Sequence, residues 1–357
     1  MDLKELCLMK GVSGHEQEIR KALAEACRPL CDSVTIDRMG NVSAFKKGTE
    51  KNMPHIMLVA HMDEVGFIVM SATDEGLLRI RPVGGAAPRL SPLVPWTYGI
   101  QPADSVDPRV VISKRVLVGD KAIPGVIGAM AIHLQSPEDR QRVLQYDSIY
   151  VDIGAKNKDD ALADCPQGSY ITFDTPYTPF GDGFICAKAL DDRVGCLTLL
   201  KLLEDTYPGD ITCLFTTEEE VGCRGATGGV FRVNPDMALI LEGTTCNDLG
   251  DIPETMQVCR AGDGVVVSFM DKASLANRPL YEAILRTARE NNIPHQVKRS
   301  VSGGNEGGPI HKSRAGVKTC VLSVPCRYIH SPSSVVKESD VDAQYRLAHD
   351  FLKHPIV

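Results

Sequence analysis

No stretch of this sequence approaches the roughly 18 uninterrupted apolar residues that a membrane-spanning helix needs, and Met1 to Lys10 has no sustained apolar run like that of a secretory signal. A cytoplasmic protein with no membrane partner is expected. Clustered basic residues are missing as well. The 39 Lys and Arg are scattered among 46 Asp and Glu, for a formal charge of −7, the wrong sign and distribution for binding a phosphate backbone. That argues against nucleic acid and leaves peptides or other small molecules as partners. There is no Cys-x-x-Cys pair among the 12 cysteines, so the spacings of a zinc ribbon or a redox motif are absent. The thiols instead run from Cys7 to Cys326, many inside apolar runs such as ITCLF around Cys213 and TCVLSV around Cys320. Small buried thiols in a reducing compartment are expected rather than disulfides. No fixed-period repeat or low-complexity tract is found.

What is present is an ordinary globular composition, 43% hydrophobic and 24% charged, over 357 residues, a length that favours two domains. Ser13-Gly14-His15-Glu16 reads as a capping box opening a helix whose apolar face is Ile19, Leu23, Ala26, Cys27 and Leu30. Val34 to Asp37 and Val42 to Phe45 alternate like a hairpin at a sheet edge, joined by the turn Met39-Gly40-Asn41. Then come continuous apolar runs of the sort required by strands covered on both faces: IMLVA at 56–60, ITCLFTT at 211–217, MALIL at 237–241 and TCVLSVP at 319–325. Helical patterns at 194–205 and 280–291 lie between them. This alternation predicts an α/β fold with a mainly parallel sheet flanked by helices. Residues from about 68 to 174 break it, being rich in Val, Ile, Gly and Pro, with helical periodicity only near 135–144. They predict a small β-rich domain, 68–174, inserted into an α/β domain formed by 1–67 and 175–357.

Each apolar strand runs into ionisable residues, and open α/β sheets bind ligands at the carboxyl ends of their strands. IMLVA leads to His61, with Asp63 two residues on. A metal-bound His usually passes its second ring proton to a carboxylate, and Asp63 suits that task, although a surface pair reads the same way. Asp191 and Asp192 open a helix, where acids also serve as N-caps, while a carboxylate with two oxygens is able to bridge two cations. Glu218, Glu219 and Glu220 stand together at a strand end, where like charges repel and no turn requires them. A nearby cation relieves that repulsion, leaving one carboxylate to ligate and another to act as general base, the alternative being a solvated acidic turn. Glu242 and His330 follow the next strands, and structural roles for them stay open. Two His and three carboxylates suit zinc, cobalt or manganese.

These residues resemble a known family, the tetrahedral aminopeptidases, co-catalytic metallopeptidases that include glutamyl and deblocking types. The likeness rests on AHMDEVGF at 60–67, KALDDRVG at 188–195, EEEVGCRGA at 218–226, SRAGV at 313–317 and RYIHSP at 327–332, supported by GVSGHE at 11–16 and IPGVIG at 123–128. It spans nearly the whole chain. The resemblance implies a zinc-exopeptidase-like fold and two divalent ions, zinc or cobalt with manganese a further option. His61, Asp191 and Glu242 would hold one, and Asp191, Glu220 and His330 the other. It also implies Glu219 as the base acting on a bridging water, and Asp63 as the residue that orients His61. The reaction implied is removal of N-terminal residues from short peptides. The assembly implied is a homo-oligomer built from dimers, commonly a dodecamer, through the inserted domain.

Three features depart from the family pattern. Glu242 stands where many relatives have Asp, which lengthens the arm but keeps the ligand chemistry. GGNEGGPIH at 303–311 replaces the usual Gly-Thr-Asp-Ala, which places specificity near Asn305 and Glu306 in question. Residues 86–105, with the only tryptophan, Trp96, look like added material. Competing readings are an amidohydrolase or deacylase on the same metal centre, a glycosidase using paired acids, and a scaffold without activity.

Overall fold

The computed structural model describes residues 1–84, 106–301 and 303–355, so the added segment 86–105 and Trp96 lie outside the described residues. The chain begins with helices α1 (Leu3–Leu8) and α2 (Gln17–Cys27), a hairpin of strands β1 (Ser33–Ile36) and β2 (Val42–Lys46), and the core strand β3 (Ile56–His61). It then leaves the sheet. β4 (Gly66–Ala72), β5 (Leu78–Val83), β6 (Arg115–Val118), β7 (Ile123–Ala129), β8 (Ile149–Asp152) and β9 (Tyr170–Phe173) form a barrel closed in the order β4-β5-β8-β7-β6-β9, with helices α3 (Pro108–Val111) and α4 (Lys158–Asp164) in its connections.

After β10 (Thr178–Phe180) and β11 (Phe184–Ala187) the α/β alternation resumes with α5 (Leu190–Leu202), β12 (Ile211–Thr216), α6 (Arg224–Val233), β13 (Met237–Thr245), β14 (Val265–Ser268) and α7 (Arg278–Glu290). It finishes with β15 (His295–Val297), α8 (Gly307–His311), β16 (Lys318–Cys326), β17 (Ser334–Lys337) and α9 (Glu338–Lys353). Among the described residues the main sheet has eight strands, in the order β1-β2-β12-β3-β13-β16-β14-β15. Its centre, β12-β3-β13-β16, is parallel. β2 meets β12 antiparallel, and so does β14 with β16, so the sheet is mixed towards its margins.

The four continuous apolar runs are the four central strands, and every residue of β3 and β12 is buried. Side-chain alternation divides β3 between two layers. Ile56, Leu58 and Ala60 join α1, α2, α5, α7 and α9 in the larger core. Met57 and Val59 point the other way, onto Ala226 and Val230 of α6 and Ile310. Each fully buried aliphatic side chain contributes about 1.5–3 kcal/mol by leaving water. The barrel has a separate core built on Phe67, Val69, Ile80, Val116, Ile171 and Phe173.

Two local expectations are corrected. Ser13 does not cap a helix: α2 starts at Gln17 behind Glu16, with no side-chain cap, because the Ser13 hydroxyl is engaged by Asp63 instead. The 135–144 stretch makes only a single 3-10 turn, Asp139–Gln141, with no buried side chain in it to hold a longer helix. The expected burial of the thiols is observed for most of them. All twelve thiols are unpaired and nine are buried; burial pushes Cys7, Cys27, Cys246 and Cys320 up to about 12, far from the reactive thiolate.

Candidate metal centre

Parallel pairing brings the strand ends level. His61 closes β3 in register with Thr216 of β12, and the acid turn 218–220 follows at once. Asp191 and Asp192 stand at the start of α5 with non-helical backbone, joined by a cis peptide. Their carboxylates diverge. Asp192 does the capping, its Oδ1 accepting the Gly195 N–H at 2.9 Å and its Oδ2 the His61 N–H at 3.2 Å. Asp191 is left to face the centre, steadied by the Gly243 N–H, which donates to Oδ1 at 3.0 Å. A Cβ at position 243 would lie 2.9 Å from that same oxygen, so only glycine allows the approach.

His61 Nε2 lies 3.5 Å from Asp191 Oδ1, while His330 Nε2 lies 3.8 Å from Asp191 Oδ2 and 3.3 Å from Glu220 Oε2. Among the described residues, His61, Asp191 and Glu220 offer ligand atoms that all lie within 4.8 Å of one another. A tetrahedral zinc ion with bonds of about 2.0–2.1 Å sets its ligand atoms roughly 3.3 Å apart, which is the scale of these gaps. The donor set therefore fits divalent cations. Glu242, on β13 and buried, belongs to the same cluster electrostatically: burial first, then the charges of Asp191 and Glu219, push its carboxyl well above the usual range, with Lys298 opposing.

The three adjacent acids separate by role. Glu218 turns outward, accepting from Arg224 at 3.1 Å. Glu220 faces His330. Glu219, between them, takes the Cys223 thiol on Oε1 at 3.2 Å, and burial, opposed by His61 and reinforced by Glu220, Asp63 and Asp191, raises its carboxyl to about 7. Holding the turn is Asp63, whose Oδ1 accepts the Glu219 N–H at 3.0 Å and whose Oδ2 accepts the Glu220 N–H at 3.1 Å.

The departing segment 303–311 also divides. The Asn305 amide turns away, donating to Asp271 at 2.8 Å and accepting the Gly307 N–H at 2.9 Å. Glu306 turns inward. Only 1% exposed, it shares a hydrogen bond with the Thr216 side chain and leaves Oε1 with no partner. Burial raises it to about 8, with His61 lowering and Glu219 and Asp63 adding to the rise. Sequence reasoning marked this position only as a departure; an acid inside a glycine-rich loop was the available signal.

A sequence profile described as M42 glutamyl aminopeptidase matches residues 40–93 and 99–347. Over 364 residues the chain is 29% identical to a lysyl aminopeptidase of Pyrococcus furiosus, an alignment covering 98% of this chain and 96% of the relative. A TET aminopeptidase from a marine sediment Thaumarchaeota archaeon superposes with a TM-score of 0.89 at 29% identity, covering 99% of this chain and 96% of its own. The TET1 peptidase of Pyrococcus horikoshii, described as able to assemble into a tetrahedron or a large octahedral shell, gives a TM-score of 0.82 at 27% identity over 99% and 98% of the two chains.

Proposed function

The chain belongs to the M42 glutamyl aminopeptidase family, and from that premise we propose that it removes N-terminal residues from short peptides with two divalent ions bridged by Asp191. The observation that carries this is the division of the Asp191 carboxylate, one oxygen toward His61 and the other toward His330. His61, Asp191 and Glu242 would hold one ion, and Asp191, Glu220 and His330 the second. Zinc, cobalt and manganese all suit these N and O donors. Bound there, the ions supply Lewis-acid chemistry, easing deprotonation of water and offsetting charge on the attacked carbonyl oxygen.

The protein side of the reaction follows from position. Glu219 is the base: it accepts a proton from the attacking water and returns it to the amine as the carbon–nitrogen bond breaks. Asp63 keeps Glu219 and Glu220 in place through their backbone N–H groups, and lies beside His61 Nδ1. The likeness to assembling peptidases supports a homo-oligomer built on dimers through the barrel. Met130, Ile132 and Leu134 form an exposed apolar stretch there. A cytoplasmic location agrees with the unpaired thiols and with no described helix long and apolar enough to cross a membrane.

The test is a panel of aminoacyl chromogenic substrates on metal-stripped protein with zinc, cobalt or manganese restored in turn. Chelator-sensitive release from free amino ends, with N-acyl amino acids left intact, is the expected result. Turnover indifferent to chelation would remove the metal mechanism.

A further inference from the structure

The loop 11–16 lies far from the acid turn in sequence and against it in space. The Ser13 N–H bonds the Glu64 carbonyl at 3.2 Å, and Val12 makes a bridge to Glu64. Ser13 is 3% exposed, and its hydroxyl donates to Asp63 Oδ2 at 2.6 Å. Glu16, 1% exposed, takes the Gly14 N–H at 2.7 Å and the Glu218 N–H at 3.3 Å on its Oε1, while Arg20 donates to Oε2 at 3.2 Å. Three successive N–H groups of the acid turn are thus each received by a buried carboxylate: Glu218 by Glu16, Glu219 and Glu220 by Asp63.

The turn needs this hold. Glu218 has φ of +53°, a left-handed conformation that side-chain-bearing residues adopt unwillingly. Asp63 is able to keep two N–H groups in register only if its carboxylate plane is fixed. Three of its contacts come from segments already tied to the turn or to His61. The fourth, from Ser13, is the one that arrives from outside the centre.

We propose that Ser13 is a positioning residue for Glu219, acting through Asp63: its hydroxyl fixes the carboxylate that holds the base and the adjacent ligand. The idea rests on the reading of Glu219 and Glu220 given above. It differs from a purely structural role, in which Ser13 only satisfies a buried acid and its loss lowers stability without touching turnover per folded, metal-loaded molecule.

The experiment is a double-mutant cycle in the full chain, Ser13→Ala alone and in an Asp63→Asn background, with circular dichroism confirming the fold. Two quantities are read: kcat and KM on an aminoacyl substrate, and zinc affinity by competition with a chromogenic chelator. Ser13→Ala is expected to lower kcat about tenfold with KM within about twofold, and to weaken zinc binding, as losses beside ligand-supporting groups do. In the Asp63→Asn background it adds nothing to either loss. Unchanged kcat and zinc affinity in Ser13→Ala, or equal losses in both backgrounds, would overturn the proposal. If the parent protein hydrolyses no peptide, it is the peptidase reading that fails, and the zinc-affinity cycle still decides the role of Ser13.

Discussion

His61 Nδ1 lies 3.2 Å from the backbone carbonyl of Asp63 and 3.5 Å from its carboxylate Oδ1. The nearer acceptor is therefore the main chain, and a histidine held by a carbonyl in this way presents Nε2 outward with its proton placement fixed. The carboxylate, still beside the ring, also receives the N–H groups of Glu219 and Glu220.

Asp63→Asn separates these tasks. The carbonyl that orients His61 survives, but an amide nitrogen placed among three donors repels one of them. Hydrolysis should fall about a hundredfold while zinc affinity falls by about tenfold or less; steady-state kinetics beside chelator competition checks it. An equal loss of both would return Asp63 to the role of histidine partner alone.

Glu219→Gln keeps the shape and removes the proposed proton acceptor. The loss in kcat should be about 10²–10⁴-fold, the range for a general base, with metal content per subunit unchanged by elemental analysis. Turnover near that of the parent would take Glu219 out of the mechanism.

Glu306 gives a pH signature in metal-free protein. Its carboxyl is raised from an ordinary value of 4.5 to about 8, so between these values the folded state holds a proton that the unfolded chain has released. Stability then falls as pH rises through that window. The unfolding midpoint of Glu306→Gln should gain on that of the parent from pH 5 to pH 8, read by scanning calorimetry. A difference that stays constant with pH would contradict the assignment.

Lys188 supports the centre from below. Its ammonium donates to both oxygens of Glu64 at 2.8 Å and to the Met9 carbonyl at 2.7 Å, joining α1 and the β3–β4 connection to the residues just before α5. Glu64 also accepts from Thr172 of the barrel at 3.1 Å. Lys188→Met should cost about 1.5–3 kcal/mol in denaturant unfolding, the loss of a buried charged hydrogen bond, because Glu64 keeps the Gly11 N–H at 2.9 Å and the buried Arg193 guanidinium at 3.9 Å; a cost below about 0.5 kcal/mol would show that the neighbouring donors suffice.

The central strands were legible because burial on both faces demands unbroken apolar runs, and few other environments in a water-surrounded protein tolerate them. The ionisable residues at their ends were legible for the same reason, since acids and histidines have no place in a dry core without partners. Contacts between distant segments were not. Ser13 pairs with a residue fifty positions away, and the local pattern Ser-x-x-Glu offered a capping box in its stead. Glu306 carried no periodic signal, only its presence among glycines. α1 is six residues held by an Asp2–Glu5 capping box, too short for periodicity to register. Barrel closure depends on strand register, which alternation along single strands does not specify.

The sharing of Asp191 is tested most directly by anomalous diffraction at the zinc edge from crystals grown with excess zinc. Two peaks are predicted flanking the Asp191 carboxylate, one on the His61 side and one on the His330 side. A single peak, or none in contact with Asp191, would contradict the dinuclear account.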